Sequence, residues 1–217
     1  MALWYEKHWQ NGHQIGIWKI EETETYFLDR LDLHVSEANE LAKMKGRRRL
    51  EWLASRYLVH LMFSDDPAWD RIPMLKDEFG KPHLNDAEFQ VSFSHSHEFV
   101  AVILGNMTVG IDIQKFVPKI TALERKFMRE KESTSLLERT RLEHLHIYWG
   151  AKEALYKCYG RRRLDFKKNI LVEPFDYQEF GQTTGQVVKD DFEQSYAITF
   201  MKTGNYFLVY ALEKRTL

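Results

Sequence analysis

One carboxylate stands in an otherwise apolar segment, residues 109–114, which has the alternating pattern of a β-strand. Alternate residues of a strand point to the same face, so Asp112 and Gln114 would present two side-chain oxygens side by side. Oxygen ligands of this kind suit a hard cation such as Mg²⁺. A hydrogen bond or a salt bridge would equally explain an aspartate in a strand, so Asp112 alone leaves both interpretations open.

A second set of side chains lies on a predicted helix. Trp149, Glu153 and Lys157 follow one another four residues apart, so they share one stripe of an α-helix. The simpler interpretation is an exposed Glu153–Lys157 ion pair worth about 0.3–0.5 kcal/mol. The alternative is that Glu153 is a second carboxylate ligand and that Lys157 donates to a phosphate. The spacing alone does not choose between them.

Serine and histidine residues follow one another in residues 93–97, at the end of a predicted strand. Ser94 and His95 are neighbours and would point to opposite faces, so they are poorly placed as a nucleophile and its base. The sequence also lacks the Gly-x-Ser-x-Gly motif of serine hydrolases. Hydroxyls, an imidazole and turn amides instead suit a phosphate, which accepts from several donors. His97 by itself is expected to be a solvated turn residue.

Composition excludes several classes of protein. The 217 residues carry 31 basic and 32 acidic side chains, so no overall positive field is available to bind nucleic acid or an anionic membrane. A single cysteine, Cys158, rules out a disulfide framework and favours a cytoplasmic location. No apolar run reaches the roughly 18 residues of a membrane-spanning helix. The Gly-Arg-Arg-Arg runs at 46–49 and 160–163 lack the spacing of Gly-rich ATP or NAD loops.

The order of the predicted elements suggests two similar halves. A long helix begins at Ser36 and continues through the apolar positions to Met62, and three strands then form an antiparallel meander. Two helices and four strands follow in the second half. We therefore expect an α+β fold of two pseudo-symmetric halves, residues 1–105 and 106–217, each with a long helix packed on an antiparallel sheet. The later helices are predicted at 121–138 and 141–159, and the strands at 14–20, 89–94, 99–104, 108–113, 169–172, 185–189, 195–200 and 206–212.

Four short motifs occur in order along the chain. They are Phe79-Gly80-Lys81-Pro82, Phe93-Ser94-His95-Ser96, Gly110-Ile111-Asp112-Ile113 and Trp149-x-x-Lys152-Glu153-Ala154-x-x-Lys157. Together they resemble the motif series of the 4′-phosphopantetheinyl transferases, in particular the larger, two-half, surfactin-synthetase-activating type. The resemblance implies a pseudo-twofold α+β fold that binds coenzyme A and Mg²⁺ between its halves. It also implies transfer of the phosphopantetheine arm to a serine of an apo acyl or peptidyl carrier protein, with release of 3′,5′-ADP. We expect the protein to be a monomer.

The resemblance assigns the residues of a metal site. Asp112 and Glu153 look like the metal carboxylates, and Lys157 looks like the family's phosphate-binding lysine. Gln114 departs from the pattern, because many relatives have a third acidic ligand at this position. Its amide can still offer an oxygen or hold a metal-bound water, at the cost of one negative charge in the site.

The same resemblance implies where the coenzyme is bound. Ser94 and His95 look like the pair near its phosphates, and Lys81 would join them. Arg47 and Arg56 lie on the first long helix, where the family has basic contacts to the nucleotide phosphate.

The serine hydroxyl that attacks the coenzyme must lose its proton to a base. Glu132 matches the acidic position expected to act as that base or to assist a metal-bound water, and Glu130 is its alternative. Two other functions stay open. One is a non-catalytic module that binds coenzyme A or a carrier protein on the same scaffold, and the other is a metal-dependent phosphodiesterase.

Overall fold

The structure is a computed structural model. It describes residues 3–9, 12–63, 73–85 and 88–214. The chain divides into two compact units, Met1–Asn106 and Met107–Leu217. Each unit contains helices and an antiparallel sheet, which confirms the predicted α+β class. Among the described residues, no helix is long and apolar enough to cross a membrane.

The first unit is built around a four-stranded antiparallel sheet. Its elements are β1 (Leu3–His8), β2 (Gln14–Lys19), α1 (Glu24–Leu28), α2 (Val35–Ala42), α3 (Arg47–Phe63), β3 (Met74–Lys76), β4 (Pro82–Leu84), β5 (Gln90–Ser96) and β6 (Phe99–Gly105). The strand order of the sheet is β1-β2-β6-β5, and β3 pairs with β4 in a separate hairpin. Leu53 and Leu58 on α3 are fully buried in the core of this unit. This packing fixes which side chains of α3 remain accessible.

The single long helix predicted from Ser36 is wrong, because the structure has two helices in its place. The first, α2, is capped by His34 rather than Ser36, and its last residue is Ala42. Before α3 begins, Gly46 adopts a φ of +56°, which lies in the left-handed region that favours glycine. A right-handed helix cannot continue through that conformation. The break gives α3 its own N-terminal turn, rich in arginine.

The second unit contains a five-stranded antiparallel sheet and one long helix. Its elements are β7 (Val109–Lys115), a 3₁₀ helix (Pro118–Leu123), α4 (Glu124–Phe127), α5 (Glu130–Ser133), a second 3₁₀ helix (Glu138–Thr140), α6 (Arg141–Tyr159), β8 (Ile170–Val172), β9 (Phe180–Lys189), β10 (Phe192–Thr203) and β11 (Tyr206–Glu213). The strand order is β7-β11-β10-β9-β8. The helix α6 agrees residue for residue with its prediction and ends at Gly160, whose φ is +69°.

Two further predictions for the chain are wrong. The meander of three strands is broken because β7 pairs with β11 of the second unit and not with β6. The helix predicted at 121–138 is replaced by α4, α5 and short 3₁₀ turns. The backbone at Met128 and Arg129 is extended, with ψ values of 135° and 159°, so the chain restarts its helix at Glu130. The four strands predicted after α6 are present, three of them longer than expected.

Candidate functional site

In the second unit, β7 lies directly against α6, and this contact brings the predicted metal and phosphate residues together. Gly110 on β7 has no side chain, so the backbone of the strand can approach the backbone of α6 near Ala154. Asp112 follows two residues later on the same face of the strand. Glu153 and Lys157 on α6 both interact with Asp112.

Lys157 is held by β7 rather than by Glu153. Its Nζ donates to the Ile111 carbonyl oxygen at 2.7 Å and to Asp112 Oδ1 at 2.9 Å. The Asp112 side chain is buried to about nine-tenths of its surface, and that of Lys157 remains one-quarter exposed. The interpretation of Glu153 and Lys157 as a simple surface ion pair is therefore wrong. The ammonium group already lies beside a carboxylate and is accessible to a ligand.

The carboxyl group of Glu153 has a strongly perturbed proton affinity. Burial raises its pKa to about 7, the negative charge of Asp112 adds to the effect, and Lys157 opposes it. Two carboxylates held close together favour any cation that neutralises both. The chemistry of the Asp112–Glu153 pair thus fits a divalent metal ion.

Gln114 does not offer its oxygen to this site. Its amide nitrogen donates to the His146 carbonyl at 2.9 Å and to Asp112 Oδ2 at 3.4 Å, while its oxygen faces His146 Nδ1 at 3.0 Å. Within the described ranges, no three His, Cys, Asp or Glu side chains converge in a way that could hold a metal. Asp112 and Glu153 are the residues that would hold a cation here.

Glu132, the predicted base, lies in a different buried cluster. Its Oε1 accepts from Lys152 Nζ at 2.8 Å and from the Val172 backbone N–H at 3.1 Å, and its Oε2 accepts from Arg129 N–H at 2.8 Å. Both side chains of the ion pair are at most 1% exposed. The structure therefore gives Glu132 the role of joining α5, α6 and β8. Glu130, the alternative, is exposed at the start of α5.

Lys152 was not predicted to have a role of its own, although it precedes Glu153 in the motif. Its Nζ also donates to the carbonyl oxygens of Phe166 at 2.9 Å and Ile170 at 2.8 Å. Burial lowers the pKa of Lys152, and the neighbouring Glu132 opposes that shift. The sequence signal for this role is a charged residue, Lys152, at a helix position that faces the core.

The first unit contains a separate basic cavity of about 190 Å³ between α3 and β5. Arg56 lines it with only 4% of its surface exposed, and its guanidinium lies 3.7 Å from the centre of the Trp52 ring. Ser94 and His95, both predicted, also line this cavity. Arg48 and Lys76 contribute two further positive charges that the sequence did not single out. Converging donors of this kind suit a phosphate group.

Glu51 lines this cavity, and a second carboxylate, Glu40, pairs with the Arg56 side chain. Glu51 Oε2 lies 3.2 Å from His95 Nδ1, and Glu40 Oε2 lies 3.7 Å from an Arg56 nitrogen. A phosphate would compete with both of them for the basic groups.

Two predicted contacts are not among the residues that line this cavity. Arg47 Nε donates to the His97 carbonyl at 3.0 Å, and Lys81 lies in the β3–β4 hairpin, where its backbone N–H donates to Asp77. Arg47 and Lys81 thus remain sequence predictions.

Comparison with known proteins addresses the same region of the chain. Residues 108–205, which include β7 and α6, match the family model described as the 4′-phosphopantetheinyl transferase superfamily. This part of the chain is therefore similar to the 4′-phosphopantetheinyl transferase superfamily. The matched region includes Asp112, Glu153 and Lys157, the three residues that the packing of α6 on β7 brings together.

Individual relatives carry transferase names. The chain is 27% identical over 114 residues to the 4′-phosphopantetheinyl transferase gsp of Aneurinibacillus migulanus, which covers 51% of this chain and 46% of the relative. It is 31% identical over 90 residues to the 4′-phosphopantetheinyl transferase Sfp of Bacillus subtilis (strain 168), or 39% of each chain. A holo-[acyl-carrier-protein] synthase of Halalkalibacterium halodurans is 35% identical over 75 residues, 30% of this chain and 63% of the relative. The chain thus spans less than half the length of the first two relatives.

Proposed function

We propose that this protein transfers the 4′-phosphopantetheine arm of coenzyme A to a serine of an apo acyl or peptidyl carrier protein. The observation that carries the proposal is the cluster of Asp112, Glu153 and Lys157, which lies inside the region matched by the superfamily. A buried carboxylate, a partly buried carboxylate and a lysine side chain that is one-quarter exposed are the groups needed to bind a metal-complexed pyrophosphate. The named relatives are transferases of this class.

In the proposed reaction the serine oxygen forms a bond to the β-phosphorus of coenzyme A. The bond from that phosphorus to the bridging oxygen breaks, and 3′,5′-ADP leaves with the electron pair. Mg²⁺, bound by Asp112 and Glu153, would neutralise the negative charge on the pyrophosphate oxygens.

Lys157 has a defined part in this reaction. Its Nζ lies at the Asp112 edge of the cluster with one-quarter of the side chain exposed, so it can donate to a phosphate oxygen without leaving β7. A donor fixed before the substrate arrives stabilises charge that develops on the phosphate during the transfer.

The proton of the serine hydroxyl needs an acceptor. Glu132 is a poor choice, because both of its carboxylate oxygens already accept hydrogen bonds in the buried ion pair with Lys152. Burial raises the pKa of Glu153 to about 7 in the metal-free protein, but the cation that this carboxylate is proposed to bind would keep it ionised and engaged as a ligand. We therefore assign the proton to a water molecule at the cluster, and not to either glutamate.

The basic cavity of the first unit supports the choice of an anionic substrate. Arg56 is held in place by the Trp52 ring and by Glu40, so its charge has a fixed position in the cavity. We propose that this cavity binds a phosphate group of coenzyme A through Arg56, His95 and Ser94. A cytoplasmic location is also proposed, because coenzyme A is the substrate and the single cysteine, Cys158, is a buried free thiol.

The release of 3′,5′-ADP tests the proposed function. The purified protein is incubated with coenzyme A, Mg²⁺ and an apo carrier protein, and the nucleotide product is quantified by chromatography. We expect 3′,5′-ADP to appear only when the carrier has its acceptor serine, and replacement of that serine by alanine is the control. Product formed equally without the carrier would indicate a phosphodiesterase, and no product would indicate a binding module.

A further inference from the structure

The amide of Gln114 has one orientation that its surroundings permit. One end of the amide lies 2.9 Å from the His146 carbonyl oxygen and 3.4 Å from Asp112 Oδ2. A carbonyl and an ionised carboxylate can only accept hydrogen bonds, so the amide nitrogen must be at that end. The oxygen then faces His146 Nδ1 at 3.0 Å. The Gln114 side chain therefore presents its N–H donors, and not its oxygen, to the Asp112 carboxylate.

The orientation of Gln114 determines the state of the His146 ring. The Nδ1 atom must carry a proton in order to donate to the Gln114 oxygen. A neutral ring has only one such proton, so Nε2 accepts the Val117 backbone N–H at 3.0 Å, although the Val117 carbonyl lies at 3.1 Å. The ring is 1% exposed and stacks on Phe207 with an interplanar angle of 5°. His146 is thus a rigid donor in a fixed tautomer.

A glycine on α6 makes room for this arrangement. A β-carbon at Gly150 would lie 2.8 Å from the Gln114 amide nitrogen, which is too close for an unshifted contact. The amide can therefore reach the His146 carbonyl only because residue 150 has no side chain. Gly150 and His146 are both on α6, so the helix that carries Glu153 also fixes the orientation of Gln114.

We propose that His146 and Gln114 form a positioning pair for the metal site, in which His146 orients the amide and the amide holds Asp112. The inference rests on the proposed function and changes the role of Gln114, which is not a metal ligand. Asp112 Oδ2 is held by Gln114, and Oδ1 is held by Lys157. Both oxygens of the carboxylate are therefore fixed before a cation binds. Hydrogen-bond partners of metal ligands commonly orient the ligands in this way.

The tautomer of His146 gives a test that needs neither metal nor activity. Long-range ¹H–¹⁵N correlation spectra of the wild-type protein distinguish a ring protonated at Nδ1 from one protonated at Nε2. The positioning pair predicts that His146 is protonated at Nδ1. The signals of His146 are identified as those that are missing from the spectrum of the His146→Phe variant. The Nε2–H form would overturn the proposal, because the ring could not then donate to Gln114. If His146→Phe fails to fold, assignment in the wild-type protein gives the same answer.

The affinity for Mn²⁺, measured by electron paramagnetic resonance with coenzyme A present, tests the effect on the site. His146→Phe keeps a stacked ring but removes the donor, and it should weaken Mn²⁺ binding roughly 10-fold. His146→Asn places an amide N–H near the position of Nδ1 and should recover most of the loss. In a Gln114→Leu background, His146→Phe should have little further effect.

Other results of the Mn²⁺ titration would overturn the proposal. Additive losses in the double variant, or equal weakness of the Asn and Phe variants, would mean that His146 acts only through the packing of α6. If the wild-type protein releases 3′,5′-ADP but the His146 variants bind Mn²⁺ as tightly as the wild type, the positioning pair is overturned and the proposed function stands. A wild-type protein without Mn²⁺ binding would overturn both the metal assignment and the pair.

Discussion

Gly110 and Ala154 are so close that a β-carbon at position 110 would lie 2.0 Å from the Ala154 carbonyl oxygen. The neighbouring Cys158 Sγ would be 2.8 Å away. This contact sets the distance between the backbones of β7 and α6. It therefore also sets the distance between Asp112 and the helix residues that face it. The glycine is required by backbone packing, since its own φ is not positive.

Gly110→Ala should separate β7 from α6. The added methyl meets helix backbone, which cannot move aside, so we expect a loss of about 3 kcal/mol or more in the free energy of unfolding. Urea denaturation checks the loss, and Gly150→Ala is the comparison. A β-carbon at Gly150 would meet side-chain atoms of Gln114 and Val209, which can shift, so its loss should be smaller. Equal midpoints for the two variants would contradict this account.

Lys157→Ala should lower the rate of transfer roughly 100-fold, because it removes a fixed donor to the reacting phosphate. Lys157→Arg should recover little of the rate. The ammonium fits between Asp112 Oδ1 and the Ile111 carbonyl as a compact point charge, and a planar guanidinium does not. Turnover of saturating coenzyme A and carrier protein is the measurement, with exposed Lys168→Ala as the control. A Lys157→Ala protein as active as that control would remove Lys157 from the site.

Stability of the metal-free protein should depend on the ionisation of Glu153. Its pKa is raised to about 7 in the folded state, so the folded protein binds this proton more tightly than the unfolded chain does. The resulting stabilisation is complete below the unfolded pKa near 4.5 and is lost as the pH rises through about 7. We compare the free energies of unfolding of Glu153→Gln and wild type by urea denaturation in EDTA. From pH 5 to pH 8, the difference should change by on the order of 2 kcal/mol in favour of Glu153→Gln. A constant difference between the two proteins would contradict the shift.

Glu51→Gln should strengthen the binding of 3′,5′-ADP to the cavity of the first unit. The Glu51 side chain is only 12% exposed and lies beside His95, so its negative charge opposes an incoming phosphate. Removing that charge should tighten binding roughly tenfold, as measured by calorimetry. Uncharged adenosine should bind both proteins equally, and the exposed Glu78→Gln should behave like wild type. Unchanged or weaker binding of 3′,5′-ADP would mean that Glu51 does not compete with the ligand.

The chemistry of the second unit could be predicted from the sequence because it depends on two regular elements. Alternation in β7 placed Asp112 and Gln114 on one face, and the spacing on α6 placed Glu153 and Lys157 on one stripe. What the sequence could not show is which atom of Gln114 faces Asp112. That choice depends on the His146 carbonyl, 32 positions away in the chain, and no local pattern encodes such a contact.

The errors in the fold and the contacts of the site that the sequence did not reveal have related physical causes. The sequence pattern predicts one helix through Gly46, because only the positive φ observed there reveals the break. The buried ion pair of Glu132 could not be predicted, because its partner, Lys152, lies on another element and becomes apparent only once α6 is packed. The sequence pattern favours pairing of β7 with the nearest strands, although β11, almost a hundred residues later, is its partner. Each error concerns a long-range contact or a backbone conformation rather than a residue type.

The mass of an apo carrier protein, measured after incubation with this protein, coenzyme A and Mg²⁺, tests the central claim most directly. We predict that the wild-type protein adds one phosphopantetheine group to the acceptor serine. Asp112→Asn, which keeps the shape of the side chain but removes its charge, should add none in the same time while unfolding at a similar urea concentration. A carrier protein whose mass is unchanged by the wild type, or modified equally by the Asp112→Asn variant, would contradict the account.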